Sequence, residues 1–450
     1  MATPLQVRVQ LRRDGGRVGP REGPWVRAAQ VARAWGPADP SALAIVEDHR
    51  GRALGWGLYS PQSEIRVRVL EWAPEAGDRR QPVELTPQVD WLERRLTRAL
   101  AARDALGLTR AGTTGYRELN SEGDGVPGLV IDRYGQDRVV QITTASIAAR
   151  APQIVAWVRA RTRGRVFVTS PARAAEREGY PSFSESWAGL ATGDADEPRE
   201  GAGTERRADR EVDRERDLGS DVGSDPDHVA PLRFTEHGLR FAVPPPPGQK
   251  TGGFHDQREN RAAIAALAGA RGLPLLDVGC HVGGFAIHAA RQGALAIGVD
   301  QSALALACAR ENAARNQLEQ RARFVEGDMF APASWLPALT CDGAPGAEGF
   351  GVIVLDPPAM ARSKRDVERA RGALARTIAA LAPHVAASGF LVVCTCSHHL
   401  TRAQLDAALL AARGAGRWTR THALGPGPDH PVAPGHREGE YLRVNVYQRR

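Results

Sequence analysis

Several side chains that could perform chemistry lie at the ends of short apolar runs in this sequence. They are Asp277, Val278, Gly279, Cys280, Gly283, Asp300, Gln301, Gly327, Asp328, Met329, Asp356, Pro357, Pro358 and Cys396. Each apolar run predicts a buried strand, and ligands of open α/β sheets collect beyond the carboxyl ends of the strands. We therefore expect these residues to surround one cleft.

Cys396 is the most reactive side chain of this set. It follows the apolar run FLVVCT and precedes Ser397, His398 and His399. A thiolate at the mouth of a strand can act as a nucleophile, whereas a lone cysteine beside an apolar run is usually a buried structural residue. The pattern leaves both interpretations open. Cys394, two residues earlier, is predicted to lie in the core.

Residues 273–300 predict a strand, a glycine turn, a helix at 285–292 and a second strand, which together form one βαβ unit. Gly279 and Gly283 lie where the chain must bend and where a ligand can approach bare backbone. Asp300 ends the second strand, where a carboxylate can accept both ribose hydroxyls of a nucleoside. Three residues separate the two glycines, whereas the dinucleotide fingerprint has one, so the spacing argues against a dehydrogenase.

Acidic residues at successive strand ends favour one class of ligand. Asp300, Asp328 and Asp356 would repel the pyrophosphate of a dinucleotide but suit a neutral nucleoside with a cationic centre. This pattern indicates S-adenosylmethionine rather than NAD, with Asp328 near the adenine amino group and Met329 packed on the ring. Pro357 and Pro358 leave carbonyls aimed into the cleft, which could receive the edge of an amidine-like base. A proline-stopped strand with a chance aspartate is the alternative.

The elements that must position these residues form a doubly wound, largely parallel sheet. Strands are predicted at 275–278, 295–299, 323–326, 352–355 and 390–394, with helices between them and an antiparallel pair at 418–422 and 441–447. Residues 1–72 alternate like the strands of a small barrel. Residues 85–189 predict a small α/β unit with a helix at 147–162 and a strand at 165–168. Glu122 and Asp124 in this unit are expected to lie in a solvated turn.

Composition indicates a soluble protein of two or three domains in a reducing compartment. The 450 residues include no apolar run near the roughly 18 that a membrane helix needs. The five cysteines all fall in the last 171 residues, and this odd number suits the cytoplasm better than a disulfide framework. No Cys/His spacing matches a zinc site, so no metal is expected.

Charge is distributed unevenly along the chain. Residues 194–228 hold 13 acidic residues and 6 arginines, which leaves +14 on the remainder of a chain with net charge +7. Residues 190–229 have few large apolar side chains and are expected to be a disordered acidic insert. The basic remainder is typical of a protein that contacts a phosphate backbone. Lys250 and Lys364 are the only lysines of the sequence.

Several segments together resemble a known family. They are RELNSEGDGVPGLVIDRYG, GQKTGGFHDQRENR, VGGF, LDPPAMARSK, TCSHHL and DHPVAPGHREGEYLR. The chain is similar to the class I, S-adenosylmethionine-dependent 23S rRNA 5-methylcytosine methyltransferases that carry an N-terminal PUA domain. The resemblance implies a PUA-like RNA-binding barrel at 1–72, a middle domain at 85–189 and a Rossmann-like methyltransferase domain at 230–450.

The same resemblance implies roles for individual residues. Cys396 would be the nucleophile that adds to carbon 6 of a flipped-out cytosine, and Asp356 would hold the pyrimidine edge and favour protonation at N3. His398, Asp356 and water are all candidates for the base that removes the carbon-5 proton. Gln257 and Arg258 would contact S-adenosylmethionine. Lys250 and Lys364 fall in family motifs and could contact either the RNA substrate or the cofactor. The partner would be large-subunit rRNA, naked or in a ribosomal particle.

Departures from the family pattern keep alternatives open. The family usually has an aromatic residue at the positions of Gly253 and Met360. A methyltransferase acting on a base nitrogen would use Asp356 and its two prolines without a covalent step, but Ala359 cannot stack on the base. A non-catalytic RNA-binding or ribosome-assembly factor is a third interpretation.

Overall fold

A computed structural model of the protein describes residues 6–37, 39–73, 90–189, 230–246, 252–270, 272–344 and 346–450. The predicted acidic insert at 190–229 and Lys250 lie outside the described residues. None of the helices within the described ranges is long and apolar enough to cross a membrane. The same ranges contain no group of three or more His, Cys, Asp or Glu side chains placed to hold a metal ion.

The N-terminal part of the chain is one six-stranded sheet. Its strands are β1 (Gln6–Leu11), β2 (Trp25–Arg27), β3 (Val31–Trp35), β4 (Leu43–Glu47), β5 (Ala53–Tyr59) and β6 (Ile65–Trp72). They pair in the order β2-β6-β5-β4-β1-β3, with β1 parallel to β4 and the other neighbours antiparallel. Only Ala28–Gln30 connect the two edge strands, β2 and β3, so the sheet must curl on itself.

The middle part of the chain combines helices with a five-stranded sheet. The strands are β7 (Gly115–Asn120), β8 (Leu129–Tyr134), β9 (Asp137–Ile142), β10 (Val166–Thr169) and β11 (Ser184–Trp187), and the helices are α1 (Trp91–Ala105), α2 (Ala145–Ala148), α3 (Ala151–Arg159) and α4 (Ala172–Glu178). The strands pair in the order β11-β10-β9-β8-β7. The prediction of a single helix at 147–162 is wrong. Helix α2 ends at Ala148, and a separate helix, α3, begins at Ala151 with Pro152 in its first turn. Proline has no N–H to continue a helix but suits the start of one.

The C-terminal part contains a hairpin and a seven-stranded sheet. The strands are β12 (Leu232–Glu236), β13 (Leu239–Val243), β14 (Leu275–Val278), β15 (Ala296–Asp300), β16 (Ala322–Glu326), β17 (Phe350–Leu355), β18 (Val385–Thr395), β19 (Trp418–Leu424) and β20 (Arg443–Arg449). The helices are α5 (Arg258–Gly269), α6 (Gly284–Arg291), α7 (Ala303–Arg315), α8 (Leu336–Thr340), α9 (Val367–Leu381) and α10 (Arg402–Ala411). The sheet order is β16-β15-β14-β17-β18-β20-β19, in which the first five strands are parallel and β20 is antiparallel to both neighbours.

Helices cover both faces of this sheet, as the continuous apolar runs predicted. Leu275 and Val352 pack with residues of α5, α6 and α7 on one face. Leu276 and Ile353, their neighbours in the chain, pack with residues of α9 and α10 on the other face. The predicted strands are confirmed to within two residues at each end, except that β18 begins at Val385 rather than at 390. Because β16, β15, β14, β17 and β18 run parallel, their carboxyl ends lie at one edge of the sheet.

Candidate functional site

The glycine turn after β14 brings several predicted residues together. Gly279 has a φ of +85°, and a Cβ built there would lie 2.6 Å from the carbonyl oxygen of Asp356 and 2.7 Å from Cε of Met329. Gly283 has a φ of +83° and immediately precedes α6. Only glycine combines this backbone conformation with such close contacts. The turn thus packs directly on the loops that follow β16 and β17.

Two backbone N–H groups hold the Asp300 carboxylate, one from the glycine turn and one from the residue before α7. Its Oδ2 accepts a hydrogen bond from His281 N at 2.9 Å, and its Oδ1 accepts one from Ser302 N at 2.9 Å. Carboxylate oxygens have further lone pairs, so both can still accept a hydroxyl of a ligand. Gln301 and Asp328 are exposed beside it at the same sheet edge.

Asp277 lies near the carboxyl end of β14, just before the glycine turn. Its Oδ2 accepts a hydrogen bond from Ala286 N at 3.1 Å. Its Oδ1 is buried and has no hydrogen-bond partner among the described residues. Burial, and next the charge of Asp356, raise the pKa of Asp277 to about 7. An unsatisfied buried acceptor is costly unless a ligand donates to it, so this position fits the cationic amino group of S-adenosylmethionine.

The loop after β17 is connected to its surroundings through Asp356. Gln257 Nε2 donates to Asp356 Oδ2 at 3.1 Å, and Asn260 Nδ2 donates to Gln257 Oε1 at 2.7 Å. The predicted Gln257 thus orients Asp356 through its amide. Pro357 is buried, while Pro358 and Lys364 are exposed.

Arg258 differs from its predicted role as a cofactor contact. Its side chain is fully buried, and its two Nη atoms each donate to one carboxylate oxygen of Asp429 at 2.8 Å. Its Nε donates to Glu259 at 2.9 Å. All three nitrogens therefore serve carboxylates of the protein, and the arginine joins α5 to the C-terminal segment. Nothing in the local pattern around the DQR segment reveals a partner 171 residues away.

Cys396 lies in the wall of a cleft of about 360 Å³ at this edge of the sheet. The lining includes Arg117 and Gln141 from the middle domain and Phe254, Asp256 and Tyr441 from the C-terminal domain. Cys396 is half-buried, whereas Cys394 is fully buried in the core as predicted. A cleft of this volume is within the range of small-ligand sites.

Phe254 connects the cleft to the glycine turn. Its backbone has a φ of +45°, and its ring makes an edge contact with the His281 ring, with 5.0 Å between centroids. A methyl donor at the turn and a base beside Cys396 would therefore occupy neighbouring positions. Gly253 precedes it and has no room for the aromatic residue common in the family, because a Cβ would lie 2.8 Å from the Tyr134 ring.

The N-terminal sheet contacts two residues that line the cleft. Trp25 donates its indole N–H to Glu122 at 3.0 Å and makes an edge contact with the His436 ring at 4.8 Å between centroids. Glu122 and His436 both line the cleft. The expected solvated turn is wrong for Asp124, whose carboxylate is buried and accepts two hydrogen bonds from Arg103, both at 2.7 Å.

Sequence reasoning did not single out Phe254, Asp256 or Tyr441. The Tyr441 hydroxyl donates to Asp256 Oδ2 at 2.7 Å. Both residues fall within segments that carry the family resemblance, GQKTGGFHDQRENR and DHPVAPGHREGEYLR. Their presence in those segments was the available signal, but only the fold brings the two segments into contact.

The sheet order, the glycine turn and the acidic strand ends define a class I, S-adenosylmethionine-dependent methyltransferase. Models of a PUA-like domain and of a methyltransferase domain match residues 9–72 and 275–343. The fold is similar to that of SMU.776, whose crystal structure contains SAH, with a TM-score of 0.71 and 18% sequence identity. The similarity covers 99% of this chain and 100% of SMU.776.

Curated relatives cover nearly the whole chain. A "Ribosomal RNA large subunit methyltransferase" of Deinococcus radiodurans is 33% identical over 447 residues, which are 95% of this chain and 94% of that protein. A "Ribosomal RNA large subunit methyltransferase I" of Shewanella amazonensis is 31% identical over 450 residues, 98% of each chain. The chain belongs to the ribosomal RNA large subunit methyltransferase family.

Proposed function

We propose that this protein methylates carbon 5 of a cytosine in large-subunit rRNA through a covalent adduct with Cys396. The names of the relatives support large-subunit rRNA as the substrate. The observation that carries the chemistry is the place of Cys396, half-buried in a nucleotide-sized cleft that Phe254 connects to the glycine turn.

The cofactor residues have separate tasks in this proposal. Asp300 would accept the ribose hydroxyls, Asp328 and Met329 would hold the adenine, and Asp277 would accept from the amino group. When bound, S-adenosylmethionine supplies an electrophilic methyl group next to the cleft. Phe254, whose ring contacts His281 of the turn, also lines the cleft that contains Cys396.

Cys396 and Asp356 act on the base. The thiolate adds to carbon 6 of a cytosine flipped out of the RNA, while N3 takes up a proton and carbon 5 becomes nucleophilic. Asp356 favours protonation at N3, and the amide of Gln257 holds its carboxylate in position. After methylation, a base removes the carbon-5 proton, the C5–C6 double bond re-forms as the bond to Cys396 breaks, and N3 releases the proton that it took up.

Adduct trapping tests this function directly. Purified protein is incubated with tritiated S-adenosylmethionine and unmodified large-subunit rRNA that contains 5-fluorocytosine, whose fluorine cannot be removed as a proton. Wild type and Cys341→Ala, which removes an exposed thiol outside the cleft, should both form a protein–RNA adduct that resists denaturation. Cys396→Ala should form none.

Two outcomes would contradict the proposal. Methyl transfer that survives Cys396→Ala without an adduct would favour methylation of a base nitrogen. Absence of transfer by wild type to naked rRNA and to ribosomal particles alike would favour the binding-factor interpretation.

A further inference from the structure

Recognition of cytosine needs a group besides Asp356. In the mechanism above, Asp356 faces N3, where uracil already carries a proton and cytosine acquires one during the reaction. A carboxylate at N3 can accept from either base, so it cannot separate them. The two pyrimidines differ at position 4, where cytosine has an amino donor and uracil a carbonyl acceptor.

Asp256 is the carboxylate that the cleft offers for this second position. It lies on the short turn His255–Gln257 before α5, and its side chain lines the same cleft as Cys396. The next residue, Gln257, donates to Asp356. Two consecutive residues of this turn therefore connect the cleft, through Asp256, with Asp356, through Gln257.

Tyr441 and Arg117 prepare Asp256 to act as an acceptor. Burial, and next the charge of Asp256, raise the pKa of Tyr441 well above its usual range, so the phenol stays protonated and donates to Asp256. Burial alone would lower the pKa of Arg117, but Asp132, with smaller contributions from Tyr441 and Asp256, raises it. Arg117 donates hydrogen bonds from Nε and Nη2 to the two carboxylate oxygens of Asp132, at 2.8 and 3.0 Å. The positive charge of Arg117 therefore lies close to the Asp256 carboxylate.

We propose that Asp256 accepts a hydrogen bond from the 4-amino group of the target base and so makes the enzyme select cytosine over uracil. This inference rests on the proposed function. An ionised carboxylate has about four acceptor positions, of which Tyr441 occupies one. A carboxylate accepting from cytosine N4 is an established mode of base recognition, and one good base contact changes discrimination about 5- to 150-fold.

The test compares cytosine with uracil at one position. The nucleotide that wild type methylates is first mapped in unmodified large-subunit rRNA, and two transcripts are then made with C or U there. Asp256→Asn keeps the size of the side chain and can still accept from Tyr441, but its amide can donate to uracil O4. The ratio of kcat/KM for C over U should fall by at least about 10-fold in this variant, within the worth of one base contact.

Two variants serve as controls. Asp356→Asn should lower kcat/KM on both transcripts with little change in their ratio, because N3 is protonated in both reactions. Glu368→Gln changes an exposed residue outside the cleft and should keep the preference for C. The melting temperature and the S-adenosylmethionine affinity of each variant report on its folding. If Asp256→Asn does not fold, the ratio of kcat/KM for C over U is measured in Asp256→Ala instead.

The outcomes separate this inference from the proposed function. If wild type methylates C and Asp256→Asn retains the wild-type ratio, Asp256 does not read the base and the inference is overturned, while the proposed function stands. If the ratio falls in Asp356→Asn instead, Asp356 is the selecting residue. If wild type itself methylates no cytosine, the proposed function fails first.

Discussion

Loss of the Asp429 carboxylate should uncouple the C-terminal segment from α5 and from the middle part of the chain. Asp429 is fully buried and accepts from both Nη atoms of Arg258 at 2.8 Å. Its Oδ2 also accepts from Arg117 N at 2.9 Å, and its backbone carbonyl accepts from Arg103 at 2.8 Å. The residue thus joins α5, β7 and α1 at one point.

The magnitude follows from the unpaired charge that a variant would leave. Asp429→Asn can still accept from Arg117 N but leaves both Nη atoms of the buried Arg258 without a carboxylate, so that only the partly exposed Glu259 still pairs with its guanidinium. Breaking a buried ion pair in this way costs about 3–5 kcal/mol. Glu368→Gln is the matched control, because Glu368 pairs with Arg371 on the surface with 70% of its side chain exposed. An exposed pair of this kind contributes at most about 1 kcal/mol.

Urea denaturation followed by tryptophan fluorescence measures both effects. The single variant Arg258→Met and the double variant Arg258→Met/Asp429→Asn complete the comparison. Because the double variant leaves neither charge unpaired, its loss of unfolding free energy should be clearly smaller than the sum of the losses in the two single variants. Burial alone would raise the pKa of Asp429, but His430 and Arg258 together lower it. Because the folded pKa is depressed, this stabilisation is present above about pH 4 and is lost as the pH falls below it. The variant should therefore lack that acid-dependent loss.

Activity provides a second measurement. The segment after Asp429 supplies His436 and Tyr441 to the cleft, so its displacement should lower kcat/KM for RNA by on the order of 10²-fold. Affinity for S-adenosylmethionine should change much less. An Asp429→Asn protein as stable as the Glu368→Gln control, or strictly additive losses in the double variant, would refute this reasoning.

Two further predictions concern the glycine turn and its strand. Because burial raises the pKa of Asp277 to about 7, the folded protein retains a proton that the unfolded chain releases near pH 4, and stability should fall as the pH rises from about 4 to about 7. Asp277→Asn should flatten this dependence in urea titrations between pH 5 and 8; parallel curves for variant and wild type would contradict it. Gly279→Ala adds about 1–2 kcal/mol of backbone strain and also forces a Cβ against the Asp356 carbonyl; because that contact displaces the turn at the cofactor site, calorimetry should find S-adenosylmethionine affinity lowered about 10-fold. Gly293→Ala, with a φ of +93° but no atom within 4 Å of its Cβ, carries the strain alone and should leave that affinity unchanged; equal losses in both variants would attribute the effect to strain.

Local patterns in the chain were sufficient for the strands and for the edge at which ligands bind. Continuous apolar runs predicted β14 to β17 within two residues because strands covered on both faces have no polar side to alternate. The glycine turn and Asp300 were placed together because the carboxyl ends of parallel strands must meet. These inferences depend on neighbours in sequence and on one rule of topology.

Only the tertiary structure decided how distant side chains pair. Arg258 turned out to be paired with Asp429, 171 residues away, and Asp256 with Tyr441, 185 residues away. Asp124, expected in solvent, is buried against Arg103. No periodicity encodes such contacts, because each depends on which surfaces of separate domains come together. The cleft around Cys396 is lined by residues of the middle and C-terminal parts of the chain, so its shape exists only once the two are assembled.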